Sequence, residues 1–212
     1  MKVPATPPHD CPLCPRLKAF RDANRVKYPD WFNGPVPSFG PLDARILIAG
    51  LAPGLQGANR TGRPFTGDWA GDLLYATLLK FRLAKGVYDE RPDDGLTLVN
   101  CRIANAVRCV PPQNKPEPSE IKTCRQFLVS ELETLPKVKV ILALGKIAHD
   151  SVLTTMGAKI SAHPFKHGVA YDVGGFRLIS SYHCSRYNTN TGRLTTEMFE
   201  NVVGKAKKLA EL

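Results

Sequence analysis

Three polar residues, far apart in the chain, have types and settings that could do chemistry. Asp68 closes the stretch Gly50-Leu-Ala-Pro-Gly-Leu-Gln-Gly-Ala-Asn-Arg-Thr-Gly-Arg-Pro-Phe-Thr-Gly-Asp68, nineteen residues with five glycines and two prolines. Glycine lets a backbone pass close to a ligand, and proline stiffens the path between. A carboxylate at the end of such a loop can steady a developing cation or position water, as in glycoside hydrolysis. The same place, just ahead of a helix, equally suits an N-cap. Asn105 carries donor and acceptor on one amide, enough to read a polar edge or to close a strand-end turn. His183 can donate to an oxygen on which charge develops. Phe65, inside the loop, offers a flat face for stacking or a filler beneath the loop. The backbone N–H groups of Leu51 and Ala52 are further donors, and Pro53 has none to give.

Sulfur provides a second constellation. Cys11 and Cys14 form C-x2-C, and Cys109 and Cys124 have fourteen residues between them. In a reducing compartment such a set points to a tetrathiolate site for zinc or an iron–sulfur cluster. A zinc ribbon usually shows two C-x2-C pairs. The wider second pair leans toward a cluster. Cys124 also sits on an apolar helix stripe, where a free cysteine can be plain core. Cys101, in a buried strand, reads as core.

These residues need elements to bring them together. Ile46–Leu51, Leu96–Ala104, Val138–Leu144 and Phe176–Tyr182 read as buried strands. Helices are predicted near Leu17–Val26, over Trp69–Phe81, after an N-cap at Ser119, over Lys146–Met156 and over Thr196–Leu209. Trp69, Leu73, Leu74, Thr77, Leu78 and Phe81 fall at helical spacing, as do Ile121, Cys124, Leu128, Leu132 and Leu135. Strands alternating with helices imply an α/β fold: a three-layer α/β/α sandwich on a parallel sheet. The carboxyl ends of those strands then share one edge, where ligands bind. The glycine-rich loop, Asn105 and His183 all fall there. Residues 1–42, rich in proline, read as an N-terminal arm on one domain spanning 1–212.

The charge balance says what kind of partner to expect. The chain carries 29 Lys and Arg against 19 Asp and Glu, a net charge of +10. A polyanion such as nucleic acid is the natural partner. The N-terminus lacks an apolar signal region and no apolar run is long enough to span a membrane. A cytoplasmic protein with reduced thiols is the expectation.

Four segments, in order, resemble the uracil-DNA glycosylase superfamily. They are Gly50-Leu-Ala-Pro-Gly54, Asn59-Arg-Thr-Gly-Arg-Pro-Phe-Thr-Gly-Asp68, Asn105-Ala-Val-Arg-Cys-Val-Pro-Pro112 and Ser181-Tyr-His-Cys-Ser-Arg-Tyr-Asn-Thr-Asn-Thr-Gly-Arg-Leu194. The match runs from Cys11 to the last helix and is best with family 5, or type B, of prokaryotes. Family 4 shares the cysteine pattern but typically has an acid where this chain has Leu51. Gly54 replaces the alanine common in family 5. His183-Cys184-Ser185 replaces the usual His-Pro-Ser, which should loosen the loop that follows.

The resemblance implies a central four-stranded parallel sheet and a [4Fe–4S] cluster on Cys11, Cys14, Cys109 and Cys124, with zinc the alternative. It implies a monomer that flips uracil, with hypoxanthine and some modified pyrimidines as further substrates, from double-stranded DNA and hydrolyses the glycosidic bond without lyase chemistry. Asp68 and His183 take the catalytic roles. Leu51, Ala52, Phe65 and Asn105 bind the base. Ser185, Arg186, Tyr187 and Asn188 form a loop entering the minor groove, and Arg60, Arg63, Arg186 and Arg193 meet phosphates. The competing expectation, from the missing acid at Leu51, is a non-catalytic nucleic-acid binder on the same scaffold.

Overall fold

The computed structural model describes residues 2–212. In chain order its strands are β1 (Ile46–Gly50), β2 (Ala84–Lys85), β3 (Thr97–Leu98), β4 (Cys101–Asn105), β5 (Val140–Leu144), β6 (Ala170–Val173) and β7 (Phe176–Ser181). Its helices are α1 (Pro15–Lys27), α2 (Ala58–Thr61), α3 (Trp69–Lys80), α4 (Pro118–Thr134), α5 (Lys146–Thr155), α6 (Arg186–Asn190) and α7 (Thr196–Leu209), with single 3-10 turns at Pro112–Asn114 and Ile160–Ala162.

The main sheet has the order β4-β1-β5-β7-β6. Its first four strands are parallel, as expected, and β6 adds a fifth, antiparallel to β7. The residues of β1, β4 and β5 are buried throughout, which is what a sheet covered on both faces requires. On one face Ile46, Ile48 and Leu142 pack with Leu74 and Leu78 of α3 and Phe199 and Val202 of α7. On the other, Leu47, Ala49, Ile141 and Ala143 pack with Leu128 of α4 and Ala148 and Val152 of α5. The layers are α/β/α.

Three local expectations change. The strand expected over Leu96–Ala104 is broken, because Asn100 takes a left-handed φ of 56° between β3 and β4. α4 is capped by Glu117 rather than Ser119: Glu117 and Glu120 form a reciprocal capping box, with Pro118 at the first helical position. Trp69 does not join the inner stripe of α3 and is 47% exposed. The N-terminal arm packs through α1. Leu17 joins Val107, Cys109, Cys124 and Phe127 in a separate small core.

Candidate active site

The pocket begins where β1 and β4 end side by side, Gly50 in register with Asn105. A Cβ on Gly50 would fall 2.2 Å from Asn105 Oδ1 and 2.8 Å from the Phe65 ring. Only glycine leaves room for both side chains there. Asn105 is 3% exposed and its Oδ1 has no hydrogen-bond partner. A buried acceptor left unpaired is costly, and this one waits on a donor from outside the chain.

Phe65 is held in a left-handed conformation, φ 53°, a genuine outlier for a bulky residue. Its neighbours enforce it. The Tyr75 hydroxyl donates to the Pro64 carbonyl at 2.6 Å. Arg63 forks onto Asp94 at 2.8 and 2.7 Å and donates to Thr66 at 2.7 Å. At the loop's start, Asn59 donates to Asn33 of the N-terminal arm at 2.9 Å.

Asp68 does both things its position allowed. Its Oδ1 accepts from the N–H groups of Ala70 (3.1 Å) and Gly71 (3.3 Å), capping α3. Its Oδ2 lies where a Cβ on Gly54 or Gly57 would come within 2.8 or 2.2 Å. The two glycines thus clear a berth for the second oxygen. Burial pushes the carboxyl above its ordinary value, against the two N–H bonds that lower it.

His183 follows β7, with its ring 5.9 Å from that of Phe65 and tilted by 30°. The residue keeps some surface at the pocket wall, yet protein surrounds the imidazole, and that burial lowers its pKa to about 4. It is neutral at pH 7 and can donate one N–H. These groups line one cavity of about 380 Å³ with Leu51, Ala52, Pro53, Gly54, Ala58, Trp69, Ala70, Asn114, Ser185 and Arg186. That volume fits a small ring ligand.

Cys11, Cys14, Cys109 and Cys124 line a second cavity, bounded by Leu17, Phe127, Arg21 and Arg108. All are free thiols. Cys14 is also the N-cap of α1, and burial, with the Glu120 charge nearby, pushes its thiol above the ordinary value. Among the described residues no three His, Cys, Asp or Glu side chains gather closely enough to hold a single metal ion. Cys101 is core, fully buried, with its thiol donating to the Leu83 carbonyl at 3.1 Å.

The model of the uracil DNA glycosylase superfamily matches residues 37–207. The type-5 uracil-DNA glycosylase of Thermus thermophilus is 48% identical over 95% of this chain and 94% of its own length. That of Pyrobaculum aerophilum is 39% identical over 93% and 88%, and the type-4 uracil-DNA glycosylase of Thermotoga maritima 31% over 79% of each. The chain belongs to the uracil-DNA glycosylase superfamily. In this superfamily member Leu51, Ala52, Phe65 and Asn105, expected to bind the base, share one cavity with Asp68 and His183, expected to be catalytic.

The rim is less well matched. Arg60, Arg186 and Arg193 are exposed, Arg60 bonded to the Gln56 carbonyl at 2.8 Å, Arg186 over the Trp69 ring and Arg193 over the Tyr182 ring. Arg63 is not a phosphate partner. It is 4% exposed, paired with Asp94, and surrounded by the rings of Phe39, Tyr75 and Tyr88. Residues 186–190 form α6, with Ser185 as its N-cap, rather than an open loop. Tyr187 is 71% exposed. Asn188 spends its amide on the His183 carbonyl, at 2.8 Å, and so fastens the turn that the missing proline was expected to loosen. Cys184 is fully buried, its thiol pushed up to about 12. Trp69 and Asn114 line the pocket unforeseen. Asn114 and Gln113 both take left-handed φ near 55°, and no local pattern marks such a pair. The glycines at 54 and 57 did carry a signal, since close approach is what glycine permits.

Proposed function

We propose that this chain is a monofunctional DNA glycosylase that flips uracil from duplex DNA and hydrolyses its N-glycosidic bond, the first step of base excision repair. The observation that carries the reading is the convergence of an unpartnered Asn105 amide oxygen, the free Asp68 oxygen and a neutral His183 on one ring-sized cavity. Uracil offers an imide N–H between two carbonyl oxygens, the complement of an amide that both accepts and donates. Phe65 stacks on the extruded ring.

Bond breaking sends the C1′–N1 electron pair to the base and leaves an oxocarbenium-like sugar. Asp68, anionic and fixed by its cap bonds, opposes that positive charge and orients the water whose oxygen bonds to C1′ as its proton passes to the carboxylate. His183 donates to the base oxygen on which negative charge collects; a neutral imidazole does this without transferring its proton outright. The named type-5 relatives over nearly the whole chain support uracil as substrate and a hydrolase reaction. Hypoxanthine and modified pyrimidines are further substrates under this reading, since a cavity of about 380 Å³ has room for a two-ring or substituted base. The protein acts as a monomer, in the cytoplasm where the chromosome lies. No helix among the described residues is long and apolar enough to cross a membrane.

The four cysteines would hold a [4Fe–4S] cluster. Their thiols share one cavity, and the wide second pair departs from the two C-x2-C pairs of a zinc ribbon, which favours a four-iron group over zinc. When bound, the cluster supplies iron–thiolate bonds that tie the N-terminal arm to the β4–α4 segment. A brown protein with several irons per chain supports this; a colourless one with stoichiometric zinc refutes it.

Incubation with a uracil-containing duplex followed by alkali tests the activity. Strand breaks at the uracil position are expected only after alkali. No abasic product from uracil, hypoxanthine or modified pyrimidines would leave the non-catalytic binder as the better reading. Breaks before alkali, with a trappable Schiff base, would overturn the monofunctional assignment.

A further inference from the structure

Arg21 is a buried cation with no carboxylate. It lies in the middle of α1 and is 1% exposed. Its Nη1 donates to the Cys109 sulfur at 3.6 Å and its Nη2 to the Cys11 carbonyl at 3.1 Å. Its Nε has no partner. The acids around it are engaged elsewhere: Asp10 by Arg25, Asp22 by Lys18, Glu120 by Arg16. None among the described residues forms an ion pair with Arg21. Burying a charge without a counter-charge is strongly unfavourable. A chain that folds this way needs an anion at that spot.

The neighbouring network has the same sign. Arg108 lines the same cavity, and its backbone N–H donates to the Cys124 sulfur at 3.3 Å. Its guanidinium shares Glu131 with Arg102. Arg21 and Arg108 both line the cavity of the four thiols, and Glu131 alone serves Arg102 and Arg108. A four-iron, four-sulfide core in its 2+ state, held by four thiolates, carries two negative charges.

We propose that Arg21, with the surplus charge of the Arg102–Arg108–Glu131 network, is the built-in counter-charge of the cysteine centre. It bridges Cys11 of the arm to Cys109. The inference rests on the cluster reading above and is a positioning and tuning role, separate from excision chemistry.

The test uses holoprotein purified without air: wild type, Arg21→Gln and the charge-keeping Arg21→Lys. Iron analysis of the wild type alone tests the cluster reading; absent iron there sinks that reading before any variant is compared. Given iron, Arg21→Gln is expected to titrate at a lower midpoint potential, because a sulfur-directed hydrogen bond and a positive charge are lost. It should also release iron to a chelator more readily, by roughly 10- to 100-fold in metal affinity, with Arg21→Lys recovering most of the potential. Wild-type potential and wild-type iron release in Arg21→Gln would overturn the proposal. If Arg21→Gln does not fold, Arg21→Met keeps the volume without the charge; an Arg21→Met protein that holds iron as the wild type does would overturn it equally.

Discussion

At the scale of single residues, Asp68 works through two oxygens that can be separated. Oδ1 caps α3, and Oδ2 faces the cavity between Gly54 and Gly57. Asparagine caps a helix as well as aspartate but has no charge to set against an oxocarbenium. Asp68→Asn should therefore melt at or above the wild-type temperature while excision falls by about 10²- to 10⁴-fold. The stability sign follows from linkage. The folded carboxyl titrates above its ordinary 3.8, so its contribution is present below that value and lost as pH rises through the folded pKa. The asparagine escapes that loss at neutral pH. A fully active Asp68→Asn would remove the residue from the mechanism. His183 has the opposite sign. Its pKa of about 4 lies below the ordinary 6.5, so its contribution holds above pH 6.5 and fades as pH falls from there through 4. Single-turnover rates should rise with pH through the Asp68 ionisation and stay flat across pH 6.5. A fall in rate centred near 6.5 on raising pH would mean that an imidazolium is the donor.

At the scale of elements, the loop between β1 and α3 keeps its shape through a contact made far along the chain. Arg63 reaches Asp94, whose side chain is fully enclosed and also accepts from the N–H groups of Asp89 and Leu96. Asp94→Asn would leave a guanidinium buried among Phe39, Tyr75 and Tyr88 without its counter-charge. A loss of about 3–5 kcal/mol in urea unfolding is expected, and a loss under 1 kcal/mol would show the pair to be inessential. This tie also marks the limit of what the sequence discloses. The four parallel strands were legible because each carries a short, largely buried run with apolar residues, although the one expected over Leu96–Ala104 splits at Asn100, and their shared edge brought Asn105, Asp68 and His183 to one cavity. β6 was not, because Ala170–Val173 lies at the sheet edge with only Val173 buried and so carries no continuous apolar run; the Gly174-Gly175 turn before β7 was its available signal. Arg63 read as a surface cation because nothing within a few residues of it names Asp94. Its burial is a tertiary event between two loops.

At the scale of the whole molecule, the net charge of +10 gains meaning from where the cations are free. Arg21, Arg63, Arg102 and Arg108 are all buried and satisfy internal needs. They add to the total without adding to a phosphate-facing surface. Arg60, Arg186 and Arg193 are the exposed arginines named from the motifs, and Arg186 lines the cavity mouth beside Trp69. Binding to duplex DNA should weaken with salt, with a log–log slope of about −0.9 per neutralised phosphate. Arg60→Gln and Arg193→Gln should each reduce that slope by about 1 and lower affinity similarly for uracil-containing and undamaged duplexes. Arg63→Gln, at temperatures where it stays folded, should leave the slope at the wild-type value and impair excision through Phe65 instead. Titrations of labelled duplex at several salt concentrations decide it. A slope lowered by Arg63→Gln and untouched by Arg60→Gln and Arg193→Gln would place the phosphate-binding face around the β1–α3 loop's interior, which the buried Asp94 pair forbids in the fold described.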